Sequence, residues 1–204
     1  LVTITHDPAS LAGADRVIAL EQNGGKGGAV RAGVLAARGR TIAFTDADLS
    51  YSPDQVLRLL AEVEGGWDVV VGSRKHTETR TLVTARRPPQ DGGRNANAVT
   101  AFVLLGQYRD TQCGLKAFRS DVGKVIFSHS RIDGFAFDVE VFHLVERYRL
   151  TLAEVPVELT NSTRSTVHVV RATTRLVRDL FRIRSVAHTG GYELEAEELA
   201  ALGN

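Results

Sequence analysis

Short apolar runs alternate with helical patterns early in the chain, and this alternation is the strongest constraint on the fold. Thr41–Thr45, Asp68–Gly72 and Arg16–Leu20 are β-branched or apolar runs typical of buried strands. The helical patterns between them cover residues 28–37 and 53–64. Strand, helix, strand is the order of a sheet with parallel strands and right-handed crossovers. We therefore predict an α/β fold, with ligands bound beyond the carboxyl ends of the strands.

The rest of the chain adds further elements around this unit. Ser52 and Pro53 predict an N-cap and first helical position. Residues 75–95 are basic and lack apolar periodicity, which predicts a long loop. Thr151–Leu159 predicts a strand that Pro156 interrupts, which favours an edge of the sheet. The remaining predicted elements are helices at 97–105, 137–149 and 167–183. We expect one domain over residues 1–184 and an acidic tail over 185–204.

Composition narrows the class of protein. The chain has 204 residues, 43% of them hydrophobic, which suits a single domain with a full core. A net charge of +1 excludes a generally basic surface of the kind that binds nucleic acid. Cys113 is the only cysteine, which excludes a disulfide framework and favours a reducing cytoplasm. The chain contains no methionine, so we expect residues to be missing at its start or at internal breaks.

Two aspartates directly follow the predicted strand Thr41–Thr45. Asp46 and Asp48 are two residues apart, so in an extended chain their side chains share one face. Two carboxylates at a sheet edge suit Mg²⁺ or Mn²⁺, which also take ligands from substrate phosphates. The alternative is a turn with helix-capping aspartates.

Three other polar segments are candidates for ligand binding. The glycine-rich segment 23–31 opens a helix and carries Lys26, which suits an anion but also a flexible turn. Arg74 closes the strand 68–72 and either binds a phosphate or is a solvated charge. Residues 110–116 predict a pocket-lining turn, in which Cys113 is a buried apolar side chain and no nucleophile. Asp138 and Glu140 either stabilise a helix N-terminus or point into the site.

These motifs occur together and in the order of a known family. The sequence resembles the family 2 inverting glycosyltransferases, of the polyprenyl-phosphate (dolichyl-phosphate) mannosyl- and glucosyltransferase type. The motifs that carry the resemblance are 23–31, 44–49, 72–74, 110–116 and 137–140. The family's first strand and its Asp-Asp-Gly-Ser turn are not recognisable before Arg16, and Ser50 stands where many members have Gln.

The resemblance implies a GT-A fold with a mixed, mostly parallel sheet, and a nucleoside-diphosphate sugar as donor. It implies Mg²⁺ or Mn²⁺ at Asp46 and Asp48, and donor contacts from Lys26, Gly27 and Asp46. It implies that Arg74 grips the phosphate of a polyprenyl phosphate acceptor. A second arginine, Arg94 or next Arg87, would assist Arg74.

The implied reaction transfers a hexosyl residue with inversion, and we expect Asp48 and Arg74 to act in it. A phosphate monoester is largely dianionic at neutral pH, so its oxygen needs no general base. Two alternatives stay open. One is an enzyme of the same fold that uses a soluble acceptor, and the other is a catalytically silent domain that binds sugar nucleotides.

If the acceptor lies in a membrane, we expect the enzyme to have a surface that contacts the bilayer. The chain has no apolar stretch near the roughly 20 residues of a membrane span and no signal-peptide pattern at its start. The helix at 167–183 has an apolar face next to a basic one, which favours peripheral contact on the cytoplasmic side. A core-packing helix with solvated arginines is the alternative. The apolar face contains Val169, Val170, Thr173, Leu176, Val177, Leu180 and Phe181, and the basic face contains Arg171, Arg175, Arg178 and Arg182.

Overall fold

The computed structural model describes most of the chain. The described residues are 17–46, 50–52, 54–74, 76, 80–81, 110, 112–159 and 169–203. Their helices are α1 (Gly25–Ala36), α2 (Asp54–Glu64), α3 (Ser120–His129), α4 (Phe137–Arg147), α5 (Val169–His188) and α6 (Ala196–Leu202). Their strands are β1 (Thr41–Phe44), β2 (Val69–Ser73), β3 (Arg80–Thr81), β4 (Lys116–Arg119), β5 (Leu152–Pro156) and β6 (Glu158–Leu159).

The main sheet contains four strands among the described residues, in the order β1-β4-β2-β5. β4 is antiparallel to both β1 and β2, whereas β2 and β5 are parallel. β1, β2 and β5 therefore run in the same direction, and the sheet is mixed, as predicted, although two of its three described pairings are antiparallel. Because β4 runs the other way, its first residue lies at the same edge as the last residues of β1 and β2.

Helices cover both faces of this sheet. Val69 and Val71 of β2 face a core that includes Val34 of α1 and Phe142 of α4. Val70 faces the opposite side, where Leu59 of α2 packs. All five residues of β2 are buried, which agrees with the apolar run Val69–Val71 at its start.

Most predicted elements are present, with shifted ends. α1 begins at Gly25, where a φ of 68° suits glycine, and α2 is described from Asp54, because Pro53 lies outside the described residues. α4 ends at Arg147 because Arg149 adopts a φ of 55°. β5 ends at Pro156 and lies at the edge of the sheet formed by the described strands, as its proline predicted. The predicted helix at 97–105 lies outside the described residues.

Three expectations differ from the structure. The predicted strand Arg16–Leu20 is wrong for its described part, because Val17 and Leu20 are exposed and no described strand pairs with residues 17–20. β4 was not predicted as a strand. Short β3, within the predicted loop, pairs with β6.

The C-terminal segment is part of the folded unit. α5 continues to His188, so the boundary predicted at residue 184 falls inside a helix. Tyr192 is fully buried. The carboxylate oxygen Oε2 of Glu198 in α6 lies 2.9 Å from Nε2 of His129 in α3. Within the described ranges, no helix has both the length and the apolar character required to cross a membrane.

Candidate functional site at the sheet edge

Asp46 lies just beyond β1 and is held from two sides. Its Oδ1 pairs with Nζ of Lys26 at 2.7 Å. Its Oδ2 lies against Gly114, where an added Cβ would be only 1.9 Å away. Any side chain at Gly114 would therefore displace the Asp46 carboxylate. Asp48, its predicted partner, lies outside the described residues.

The N-terminus of α1 packs against the loop that precedes α4. The amide of Gly27 donates to the carbonyl oxygen of Asp133 at 2.8 Å, and a Cβ on Gly27 would lie 2.4 Å from the carbonyl oxygen of Ile132. Gly27 is thus required for close packing. Its amide already has a partner in this structure, and the contact of Gly27 with a donor stays a prediction. Lys26 extends from the same turn toward Asp46.

Arg74 follows β2 and forms a bidentate pair with Asp110. Its Nε donates to Oδ2 and its Nη2 to Oδ1, both at 2.7 Å, and its backbone amide donates to Oδ2 at 3.0 Å. The Asp110 side chain is only 2% exposed, whereas that of Arg74 is 45% exposed. Burial favours the neutral form of Asp110, but the hydrogen bonds and charge of Arg74 outweigh it and lower the pKa of this carboxyl. Asp110 therefore orients a guanidinium that still reaches solvent. The other predicted acceptor residues, Arg87 and Arg94, lie outside the described residues.

The turn before β4, residues 112–115, forms the floor of the site, between the Lys26–Asp46 pair and the Arg74–Asp110 pair. Cys113 is buried, as predicted, and packs in one core cluster with Tyr51. Burial raises the pKa of the thiol, which is consistent with a packing role. Gly72 of β2 allows this approach, since a Cβ there would lie 2.9 Å from Sγ of Cys113.

A buried ion pair beneath this turn was not predicted from the sequence. Nζ of Lys116 donates to Oδ1 of Asp138 at 2.6 Å and to the carbonyl oxygen of Cys113 at 2.5 Å. The two side chains are 0% and 4% exposed. Burial raises the pKa of Asp138, while Lys116 and Lys26 act in the opposite direction. Lys116 therefore connects α4 to the turn that positions Gly114 against Asp46.

Glu140, two residues after Asp138, belongs to the scaffold. It accepts hydrogen bonds from the amides of Arg131 and Ile132 and from the hydroxyl of Tyr192. Burial raises its pKa, and these donors partly offset that effect. Of the two carboxylates at the start of α4, Asp138 is the one that faces the site.

The sheet edge therefore combines an anionic group, Asp46, with the cations of Lys26 and Arg74. Such a set of side chains can hold an anionic ligand and a cation next to each other. A family model described as "Glycosyl transferase family 2" matches residues 14–127. The chain belongs to glycosyl transferase family 2.

Curated relatives extend this family match over most of the chain. Dolichyl-phosphate beta-glucosyltransferase of Drosophila melanogaster is 34% identical over 174 residues, which cover 82% of this chain and 53% of the relative. The Homo sapiens protein of the same description is 30% identical over 186 residues, which cover 88% of this chain and 57% of the relative. The chain thus spans a little more than half the length of these relatives.

Solved structures confirm the GT-A fold. Glucosyl-3-phosphoglycerate synthase from Mycobacterium tuberculosis in complex with UDP has a TM-score of 0.58 and 17% identity, over 78% of this chain and 55% of that one. The complex of that enzyme with Mn²⁺, UDP-glucose and glycerol 3-phosphate has a TM-score of 0.58 and 16% identity, over 78% of this chain and 55% of that one.

Proposed function

We propose that this chain carries the catalytic site of a glycosyltransferase that moves glucose from UDP-glucose to a polyprenyl phosphate, with inversion at the anomeric carbon. The main support is the 34% identity to a dolichyl-phosphate beta-glucosyltransferase over 82% of this chain. The solved neighbour with bound UDP-glucose suggests the donor. In the reaction, an oxygen of the acceptor phosphate forms a bond to the anomeric carbon. The bond from that carbon to the donor's diphosphate breaks, and UDP leaves.

A divalent cation fits the carboxylate of Asp46 at the end of β1. Asp46 offers a carboxylate that is 32% exposed, and it already holds a cation, the Lys26 ammonium. Hard oxygen ligands of this kind suit Mg²⁺ or Mn²⁺. We assign the metal to Asp46 and Asp48, where it would stabilise the charge of the leaving diphosphate. Lys26 would contact the same diphosphate from the N-terminus of α1.

Arg74 is our choice for gripping the acceptor phosphate. Asp110 occupies the Nε and Nη2 side of its guanidinium, which has five N–H donors in total. A phosphate can therefore bind the same guanidinium without displacing Asp110. We propose that Arg94, or next Arg87, provides the second positive charge. Asp48 would thus act on the leaving diphosphate through the metal, and Arg74 would act on the phosphate of the attacking acceptor.

Transfer assays test this function directly. We expect the chain to form a lipid-linked glucose from UDP-glucose, polyprenyl phosphate and Mn²⁺, and not to use a soluble phosphate monoester as efficiently. Asp46→Asn should lower turnover by roughly 100-fold or more, since it weakens stabilisation of the leaving group. Glu62→Gln, at an exposed position of α2, is the matched control. Preferred use of the soluble acceptor would replace the lipid assignment. Donor binding without any transfer would leave a silent binding domain.

The outer face of α5 is our candidate for membrane contact. Leu180 is buried in the core and Leu176 packs against it, so these two residues of the apolar face predicted to meet lipid are packing residues. Phe181 is 71% exposed and lies among the exposed residues Arg175, Arg178 and Arg182. The side chains of residues 169–173 lie outside the described set. A basic face with an exposed aromatic ring suits an anionic bilayer surface.

Vesicle co-sedimentation tests this contact. Each arginine near an anionic surface contributes about 1 kcal/mol, screened by salt. Binding should therefore occur on anionic vesicles only, and both high salt and Arg175→Glu with Arg178→Glu should abolish it. Arg38→Glu with Arg58→Glu changes the same charge at exposed positions of other segments and should bind normally. Equal loss in both double variants would contradict a role of α5.

A further inference from the structure

Lys26 occupies an electrostatically unusual position. It is the second residue of α1, whose first turn contains no acidic residue. A positive side chain is unfavourable there, because the helix N-terminus itself carries positive partial charge. Two contacts offset this cost, the ion pair with Asp46 at 2.7 Å and the ring of Phe137, whose centroid is 5.7 Å from Nζ. The ammonium is therefore held mainly by the carboxylate that we assign to the metal.

The contact with Lys26 involves one oxygen of the Asp46 carboxylate, a side chain that is 32% exposed. Both oxygens lie close to Gly114, since a Cβ there would be 1.9 Å from Oδ2 and 2.8 Å from Oδ1, and Oδ1 is the atom paired with Nζ. A second cation at this carboxylate would meet the charge of Lys26 at close range. Like charges repel strongly at a partly buried site, where the effective dielectric constant is well below that of water. Lys26 thus opposes metal binding as long as it stays on Asp46.

Two other anionic groups offer Lys26 a partner. One is the diphosphate of a bound donor, which a flexible lysine can reach as a point charge. The other is Asp138, which interacts electrostatically with both Lys26 and Asp46. A movement of the ammonium away from Asp46 therefore leaves it among negative charges.

We propose that Lys26 is an internal competitor of the metal for Asp46, and that a bound diphosphate relieves this competition by drawing the ammonium to its phosphates. Donor and metal then bind cooperatively, each raising the affinity for the other by the same factor. This inference rests on the proposed function, since it takes a diphosphate donor and a metal at Asp46 as given.

Direct measurement of Mn²⁺ binding to the full chain separates this role from a simple donor contact. Without nucleotide, Lys26→Met should bind Mn²⁺ more tightly than the unchanged protein, by roughly fivefold or more. UDP should raise the Mn²⁺ affinity of the unchanged protein strongly and that of Lys26→Met much less. UMP, which has one phosphate fewer, should have a smaller effect than UDP. A lysine that only contacts the donor would leave Mn²⁺ binding without nucleotide unchanged.

Matched variants make each outcome decisive. Lys26→Gln repeats the loss of charge with a polar side chain, and Lys26→Arg keeps the charge and should bind Mn²⁺ as weakly as the unchanged protein. Lys124→Met, at an exposed position of α3, is the control for a general loss of positive charge. If neither neutral variant binds Mn²⁺ more tightly without nucleotide, the competition is refuted while the proposed function stands. If no protein binds Mn²⁺, with or without UDP, the metal site is refuted and the inference with it.

Discussion

Two lysine–aspartate pairs of nearly equal length lie in the candidate site, one on its rim and one beneath its floor. Lys26 and Asp46 are 2.7 Å apart and their side chains are 24% and 32% exposed, whereas Lys116 and Asp138 are 2.6 Å apart and 0% and 4% exposed. The contacts are chemically the same. The difference lies in whether water can replace a lost partner.

Burial therefore gives the two pairs different roles. A buried charge that loses its partner stays in a medium of low dielectric constant and destabilises the fold. A partly exposed charge is solvated instead and can exchange partners at little cost. We infer that Lys116 holds the turn containing Cys113 and Gly114 in a fixed place, and that Lys26 is free to change partners during binding. Three predictions test this difference, in decreasing order of expected effect.

Removing the buried lysine should have the largest effect. Lys116→Met leaves Asp138 buried without its cation, which should lower the free energy of unfolding by about 3–5 kcal/mol. Urea denaturation at neutral pH measures this change. Adding Asp138→Leu removes the unpaired charge as well and should restore most of the stability. A loss below about 1 kcal/mol in Lys116→Met would show that the pair is more hydrated than its burial implies.

The pair of Arg74 and Asp110 joins an exposed guanidinium to a buried carboxylate. Its contribution to the free energy of unfolding should depend on pH. Asp110→Asn should cost about 2 kcal/mol at pH 7, the usual range for hydrogen bonds to a charged group. Because the folded-state pKa of Asp110 is lowered from 3.8, its contribution is fully present above that value. The contribution is lost as the pH falls through the lowered pKa.

Unfolding curves across the acid range measure this dependence. The stability difference between the unchanged protein and Asp110→Asn should stay constant from pH 7 to about 5 and shrink below about 4. A difference that is the same at pH 3 and pH 7 would mean that Asp110 contributes through packing and not through its charge.

The sequence predicted the rim of the site better than its floor. Asp46 and Arg74 follow predicted strands, and the ends of parallel strands meet at one edge, so strand order alone brought them together. Lys116 was not predicted because its segment looked like a polar insertion, and only the insertion of β4 between β1 and β2 buries it. A side chain's burial depends on neighbours that are distant in sequence, which local patterns do not contain.

The two acidic residues at the start of α4 illustrate the same limit. The sequence left open whether Asp138 and Glu140 point into the site or stabilise the helix. Residues two apart on a helix lie about 200° apart around its axis, so no single orientation of the helix points both carboxylates into the site. This period was a usable signal that the two carboxylates have different environments. Which of them faces the site depends on the tertiary packing of α4 against β4 and Tyr192.

Removing the rim lysine should have the smallest effect on stability. Lys26→Met loses an ion pair that is partly exposed, and such pairs contribute about 0–1 kcal/mol. The same substitution removes a positive charge from the N-terminus of α1, which returns about 0.3–1 kcal/mol. The two effects oppose each other, so the free energy of unfolding should change by less than about 1 kcal/mol in either direction. Urea denaturation beside Lys116→Met under identical conditions measures both lysines on one scale. A loss above about 2 kcal/mol in Lys26→Met would mean that Asp46 depends on this lysine for folding. Lys26 would then be too firmly held to exchange partners, and the contrast between rim and floor would fail.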